Sequence, residues 1–280
     1  MQRMHHLLFT AIFTLAALPL FAEPLKVLMI GNSFSHSVLV QLPKIAQGNG
    51  DELLIENLMI PGCTLAQHAE NIAKAEKDAA YKPYNCDRKV DGKQLPRRKV
   101  NIQEALAEEK WDVVTIQQGS SKCFDAAAYH PCGEEVLATI RKLAPQAKIM
   151  VQQTWSYTPY DRRLKKWGID PPTMHAKLKA AYADFAKAYK FEIIPTGDAV
   201  QNFRKAMPSS DGITGDPCGQ PNGKDKFHLN REGEYLQACV WLGALFDTDV
   251  TKLSYRPDFL SEERAVQMRA SAKAALDARR

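Results

Sequence analysis

Five short apolar runs, each bounded by polar or turn residues, limit what this chain can fold into more than any other feature. They are KVLMI (26–30), LLIENLMI (53–60), WDVVTIQ (111–117), KIMVQQ (148–153) and FEIIP (191–195). Their apolar residues are continuous rather than alternating, the pattern of strands covered on both faces. Segments with helical spacing stand between or beside them, at 37–47, 65–78, 101–109, 133–144 and 173–189. Asn101 is placed to cap NIQEALAEE, with Glu104 three residues on completing a capping box. Strands alternating with helices at this spacing predict βαβ units and a mostly parallel sheet. In such sheets, binding and chemistry collect at the carboxyl ends of the strands.

The first 22 residues carry one Arg ahead of an apolar stretch, Leu7–Ala22, that ends in small residues. This is the layout of a secretory signal peptide cut after Ala22. The alternative, an uncleaved anchor, calls for a longer apolar run. The mature product is expected to be exported, periplasmic or secreted, with no membrane span after cleavage and residues 23–280 in one domain. Polar insertions are expected near 79–100 and 207–227, and a charged C-terminal helix, capped by Ser261, on the surface near 261–279. The net charge of +5 is spread along the chain and does not call for nucleic acid or anionic lipid as a partner. Six cysteines in an exported chain invite disulfides. One or two bridges are expected among Cys86, Cys123, Cys132 and Cys218, with the pairing open and Cys123–Cys132 the shortest loop to close. Cys239, inside YLQACVWLGALF, reads as a buried thiol. There is no CxxC or HxxxH pair to suggest zinc.

Four polar stretches carry the candidate chemistry. After the first strand come Gly31-Asn32-Ser33, where the serine can cap a helix, bind an anion at the helix start or act as a nucleophile. After the second comes Ile60-Pro61-Gly62-Cys63, where the Gly62 N–H can donate to an oxyanion or merely turn the chain. After the third comes Gln117-Gln118-Gly119-Ser120-Ser121, whose amides suit an oxyanion, a sugar hydroxyl or an ordinary turn. Last, Asp225-Lys226-Phe227-His228 enters the final large helix. An Asp and a His three apart can set a carboxylate against Nδ1–H and leave Nε2 free to take a serine proton, or the His can cap the helix. Trp155, Tyr157 and Tyr160 follow the fourth strand, where they suit a sugar subsite or loop packing. His36, His68 and Asn32 lie close enough in sequence to these stretches to line a site or support a loop. The runs Arg97-Arg98-Lys99 and Arg162-Arg163 read as solvated faces that can also draw in an anionic polysaccharide.

In this order, IGNSFS, PGCTLAQH, WDVVTIQQGSS, QQTWSY, IIPTGDAVQNFR and DKFHLNREGEYL resemble the block layout of the SGNH (GDSL-like) hydrolase superfamily, and within it a branch described as a domain of unknown function. The resemblance spans roughly residues 25 to 250. It implies an α/β fold, a three-layer flavodoxin-like sandwich around a central five-stranded, mostly parallel sheet. It implies a serine esterase, with Ser33 as nucleophile, His228 as base and Asp225 as its orienting carboxylate. Ser33 and Gly62 would supply oxyanion N–H groups. Most members place an Asn in the third block, where this chain has Gly119-Ser120-Ser121-Lys122. Gln118 is therefore the implied third donor, with Ser121 the other candidate. Asn32, His68 and Trp155 are the implied substrate-lining residues. No metal or organic cofactor is implied. The expected partner is an acylated carbohydrate or other small ester, the expected reaction removal of an O-acetyl or short acyl group, and oligomeric state is left open. The alternative is a non-catalytic glycan-binding or scaffold protein on the same fold.

Overall fold

The computed structural model describes residues 23–212, 214–219, 223 and 225–279. The proposed signal peptide, 1–22, lies outside them. Among the described residues, eight strands form one sheet: β1 (Leu25–Gly31), β2 (Leu53–Met59), β3 (Tyr84–Val90), β4 (Lys93–Gln94), β5 (Arg98–Val100), β6 (Val113–Ile116), β7 (Lys148–Gln152) and β8 (Glu192–Ile194). The order is β4-β3-β2-β1-β6-β7-β8, with β5 also on β3. The five expected strands pair in parallel, in the order β2-β1-β6-β7-β8. Val27, Leu28, Met29 and Val114 are fully buried, as continuous apolar runs require.

The sheet is wider than expected because 79–100 is not a loose surface insertion. It folds back as β3, β4 and β5 and extends the β2 edge in antiparallel fashion. Its sequence hides this because its inward residues are few and mixed: Tyr84, Cys86 and Val100 are buried, and Glu56 of β2 lies under it at 0% exposure. Glu56 is matched there by Arg98 at 2.9 Å and Arg88 at 3.5 Å. Arg98 also pairs with Glu108, and Arg97 with Asp87 at 2.7 Å. The basic run at 97–98 is therefore committed to scaffold pairs.

Helices cover both faces. They are α1 (Ser33–His36), α2 (Val38–Asn49), α3 (Leu65–Lys77), α4 (Ile102–Glu108), α5 (Cys132–Leu143), α6 (Arg162–Trp167), α7 (Pro171–Tyr189), α8 (Thr196–Ala206), α9 (Arg231–Phe246) and α10 (Glu262–Asp277). One layer packs α2 on α9 and α9 on α8 and α10, while α3, α4 and α5 pack together in the other. This is the α/β sandwich of the SGNH type. Asn101 does cap α4, accepting from the Glu104 N–H at 2.7 Å, but Glu104 turns away to Lys82 and no box forms. The Ser261-capped helix α10 is less superficial than expected: Ala265, Met268, Ala272 and Ala275 are buried against α8 and α9.

All six cysteines are buried free thiols, so the expected bridges among Cys86, Cys123, Cys132 and Cys218 are absent. Cys86 serves in β3, Cys132 opens α5 and Cys218 pairs by its backbone with Leu229, so each is placed as a small apolar side chain. Burial pushes the thiols of Cys63, Cys123 and Cys239 up to about 12, which keeps them protonated and slow to react. A thiol-reactive dye is expected to label the native protein slowly and to find six groups after unfolding. Reducing agent is expected to leave the unfolding midpoint unchanged, whereas loss of a true bridge would cost about 2–4 kcal/mol.

Candidate active site

Register brings three strand ends together. Gly31 pairs with Met59 and Ile30 with Ile116, so the chain leaves β1, β2 and β6 at one level. Because β1 has β2 on one side and β6 on the other, Ser33 emerges where the strand order reverses, the customary crevice of such sheets. Asn32 ties the three exits together. Its Oδ1 accepts from the Phe34 N–H at 2.9 Å and from Gln117 Nε2 at 2.7 Å, while its Nδ2 donates to the Cys63 carbonyl at 2.9 Å. With 1% exposure and its amide engaged, Asn32 builds the floor of the site and does not line it. Further buried amides hold α1: Gln152 and Gln237 each donate to the Phe34 carbonyl, at 3.3 and 3.0 Å, and the Ser35 hydroxyl donates to Asn57 at 2.7 Å. Asn57, Gln152 and Gln237 belong to none of the four candidate stretches. Their signal is a lone amide inside an apolar run, as in LLIENLMI and YLQACVWLGALF.

Across the crevice, the end of the 207–227 segment supplies Asp225, and His228 follows directly after it. It is anchored by Arg204, which grips Asp216 with Nε at 2.8 Å and Nη2 at 3.1 Å, and by the Cys218–Leu229 bridge. Gly219 N–H donates to the His228 carbonyl at 2.7 Å. Asp225 Oδ2 lies 2.6 Å from His228 Nδ1, and His228 Nε2 lies 2.8 Å from Ser33 Oγ. A carboxylate only accepts, so it sets the ring proton on Nδ1 and aims the Nε2 lone pair at the serine. Asp225 Oδ1 accepts the N–H groups of Phe227 and His228, each at 3.0 Å. Burial opposes its ionisation, but those two N–H groups and the imidazole outweigh it and hold the carboxyl below the usual carboxylate range. The imidazole is 32% exposed and Ser33 half-buried, so a ligand can reach both.

An aromatic column fixes the imidazole plane. Phe227 lies 4.1 Å from the His228 ring and Phe34 meets it at 5.4 Å and 65°. Trp155 stacks flat on Phe34 at 4.1 Å and donates Nε1–H to the Phe227 carbonyl at 2.8 Å. Trp155 is 0% exposed, so it supports the column and is not a substrate-lining surface. His68 is likewise internal. Its Nδ1 lies 2.8 Å from Tyr84 Oη, and complete burial pushes its pKa down to about 3. His36 stands on α1 beside the buried Asp87, at 3.5 Å.

Gly62 sits at φ +67 with open space where a Cβ would be, so backbone conformation and not crowding explains the glycine. The N–H groups of Ser33 and Gly62 have no acceptor among the described residues. Gln118 differs from expectation. Its Oε1 accepts from the N–H of Leu65 at 3.0 Å and of Gly119 at 2.8 Å, and its Nε2 donates to the Ala128 carbonyl at 2.7 Å. The side chain is thus a buried clamp between α3 and the loop after β6, because a strand-end amide serves unpaired backbone before it serves a ligand. Ser121, the other candidate, is exposed on the following turn. Gln118→Ala is expected to lower stability by about 3 kcal/mol, since it strands two N–H groups and a carbonyl. Turnover per folded molecule should fall less than about tenfold, against the ~10²–10³ lost with a true oxyanion donor. A large activity loss at undiminished stability in denaturant titration would return the amide to the oxyanion role.

A cavity of about 990 Å³ runs along the sheet edge by Phe191, Ile193 and Phe246 and contains none of Ser33, Asp225 and His228. Among solved structures, a DUF4886 family protein from Bacteroides uniformis is 29% identical, with a TM-score of 0.80 over 91% of this chain and 95% of that one. A candidate SGNH hydrolase from Slackia heliotrinireducens is 21% identical, with a TM-score of 0.52 over 80% and 99%. A candidate GDSL-like lipase from Parabacteroides merdae is 12% identical, with a TM-score of 0.51 over 80% and 96%. The last two establish likeness of fold alone. No curated protein matches the chain. The match to the domain of unknown function DUF4886 covers residues 26–277 and makes this chain a member of the DUF4886 family, with a fold like that of SGNH-type hydrolases.

Proposed function

We propose that the protein is an exported serine esterase that removes O-acetyl, or other short acyl, groups from carbohydrates. The observation that carries this is the unbroken series Asp225–His228–Ser33, at 2.6 and 2.8 Å. Ser33 Oγ attacks the ester carbonyl as its proton passes to His228 Nε2. The carbonyl oxygen, now an anion, is held by the N–H groups of Ser33 and Gly62. Collapse expels the sugar alkoxide, which takes the proton from Nε2, and leaves an acyl group on Ser33. Water, deprotonated by the same imidazole, then releases the acid and restores the hydroxyl. This chemistry needs no metal or cofactor. The leader-like stretch before Glu23 supports export, and an extracytoplasmic product beginning at Glu23 is the expected result of N-terminal sequencing.

A second function has its own support in the engaged amide of Gln118, which leaves that side chain unable to hold an oxyanion. On that footing the protein binds glycans without cleaving them. A fluorophosphonate separates the two, since it modifies only an activated serine. Labelling of Ser33, with acetate release from an acetylated polysaccharide, is expected. A protein that binds such polysaccharides yet resists the reagent would be the non-catalytic one.

A further inference from the structure

Beside the Asp225–His228 pair, the same loop and the start of α6 enclose a second cavity of about 430 Å³. Tyr160, Asp161, Arg162, Arg163, Lys226 and Phe227 line it. Phe227 joins it to the site directly, because its ring faces His228 at 4.1 Å. Three cations and one carboxylate thus border a hollow next to the proposed base.

Their pairing decides what the hollow lacks. Arg163 grips Asp161, Nε to Oδ1 at 2.9 Å and Nη2 to Oδ2 at 2.6 Å, which neutralises both. Its guanidinium also lies 3.9 Å over the Phe227 ring and 4.3 Å over Tyr157, so it braces the aromatic column. Arg162 and Lys226 remain. Arg162 is exposed, with no carboxylate partner among the described residues. Lys226 is half-buried, and its Nζ reaches only the Tyr160 carbonyl, at 3.3 Å, among the described residues. A carbonyl dipole is a weaker partner for an ammonium than a carboxylate is. At the rim, the Tyr160 ring is 50% exposed and offers an apolar face of the kind that stacks on sugars. By contrast, Arg97 and Arg98 are both satisfied by carboxylates.

We propose that this hollow is a subsite for an anionic sugar unit, one bearing a carboxylate or a sulfate, next to the acylated position of the substrate. Arg162 and Lys226 take the charge and Tyr160 takes the ring. The proposal builds on the carbohydrate-ester function above and names the substrate class: esters of acidic glycans. A neutral glycan would leave both cations unmatched.

Binding to the Ser33→Ala protein tests the subsite without relying on turnover. The probes are an oligogalacturonate, the same oligomer with its carboxylates methyl-esterified, and a sulfated galactan oligomer, titrated at low and high ionic strength. At low salt, one or both anionic oligomers are expected to bind about tenfold tighter than the neutral one, or about 1.4 kcal/mol. The gap should close at high salt and vanish in a Ser33→Ala protein that also carries Arg162→Gln and Lys226→Gln. Which anionic oligomer shows it identifies carboxylate or sulfate as the recognised group. Equal binding of all three oligomers, or a gap that survives the double substitution, overturns the subsite. The esterase function is tested separately: if the wild-type protein cleaves no ester while the gap persists, the subsite stands and the esterase falls. Ester turnover without any charge preference in binding overturns the subsite and leaves the esterase in place.

Discussion

Ser33→Ala is expected to lower turnover of an aryl acetate by on the order of 10⁴–10⁶-fold and to abolish fluorophosphonate labelling. The size follows from geometry. Among the described residues, Ser33 Oγ is the one hydroxyl within hydrogen-bond distance of His228 Nε2, at 2.8 Å, so no other side chain takes over the attack. Residual rate comes from the oxyanion donors and from binding, which the substitution leaves in place. The fold should survive. Ser33 is half-buried, Asn32 supplies the cap of α1 through Oδ1, and the Phe34 carbonyl is held by Gln152 and Gln237. Loss of one exposed-side hydrogen bond should cost at most about 1 kcal/mol, read by thermal unfolding. Ester turnover that survives the substitution at near wild-type rate would eliminate Ser33 as nucleophile.

Asp225→Asn should cost on the order of 10³–10⁴-fold in kcat with little change in KM. An amide can present N–H to Nδ1, which moves the ring proton to Nε2 and turns the base into a donor facing Ser33. The backbone N–H groups of Phe227 and His228 would keep an acceptor at Oδ1, so the loop should hold its shape. If tautomer control is the role, Asp225→Asn should lose at least as much kcat as Asp225→Ala; full activity in Asp225→Asn would remove it. The sign of the pH effect follows from the depressed pKa. The ionised carboxylate stabilises the fold fully above its ordinary value, 3.8, and that contribution is lost only as pH falls through its lower folded value. Acid inactivation above pH 4 should therefore not be caused by Asp225, and Asp225→Asn should leave unfolding stability between pH 5 and 7 dependent on other groups.

His68 adds a contribution of the same sign, set at higher pH. Held neutral by burial, with a pKa of about 3, it resists protonation in the folded state while the unfolded chain takes up a proton near 6.5. Stability should therefore fall as pH drops from about 6.5, by about 2 kcal/mol at pH 5 from this residue alone. His68→Gln should flatten that slope in denaturant titrations; an unchanged slope would mean the ring is not buried neutral.

Particular residues show how far a one-dimensional reading reaches. Ser33, Gly62, Asp225 and His228 are legible because each stands at a strand end or helix entry, where residue type and order along the chain carry the signal. Gln118, Trp155 and Asn32 have the types and positions of ligand-facing residues, yet each turns inward. Strand ends leave backbone N–H and carbonyl groups unpaired, and a neighbouring amide or indole satisfies those first. Which groups need satisfying depends on how loops from different strands approach one another. The free cysteines have a similar cause: a leader-like N-terminus argues for bridges, but burial in separate packing positions decides against them.

Sequence alone determined the five parallel strands, the side of the sheet where polar residues gather and the residue types of the Ser-His-Asp series, because periodicity and order are local properties. Packing between distant segments sets that 79–100 widens the sheet, that Gln118 is a clamp, that an aromatic column holds His228, and that Arg162 and Lys226 are left over beside it. Those outcomes are balances of burial and pairing between segments far apart in the chain, as in the bond from Ser37 to Gln237, 200 residues on. No local pattern encodes such a balance, because the partner that satisfies a buried polar group is chosen by packing.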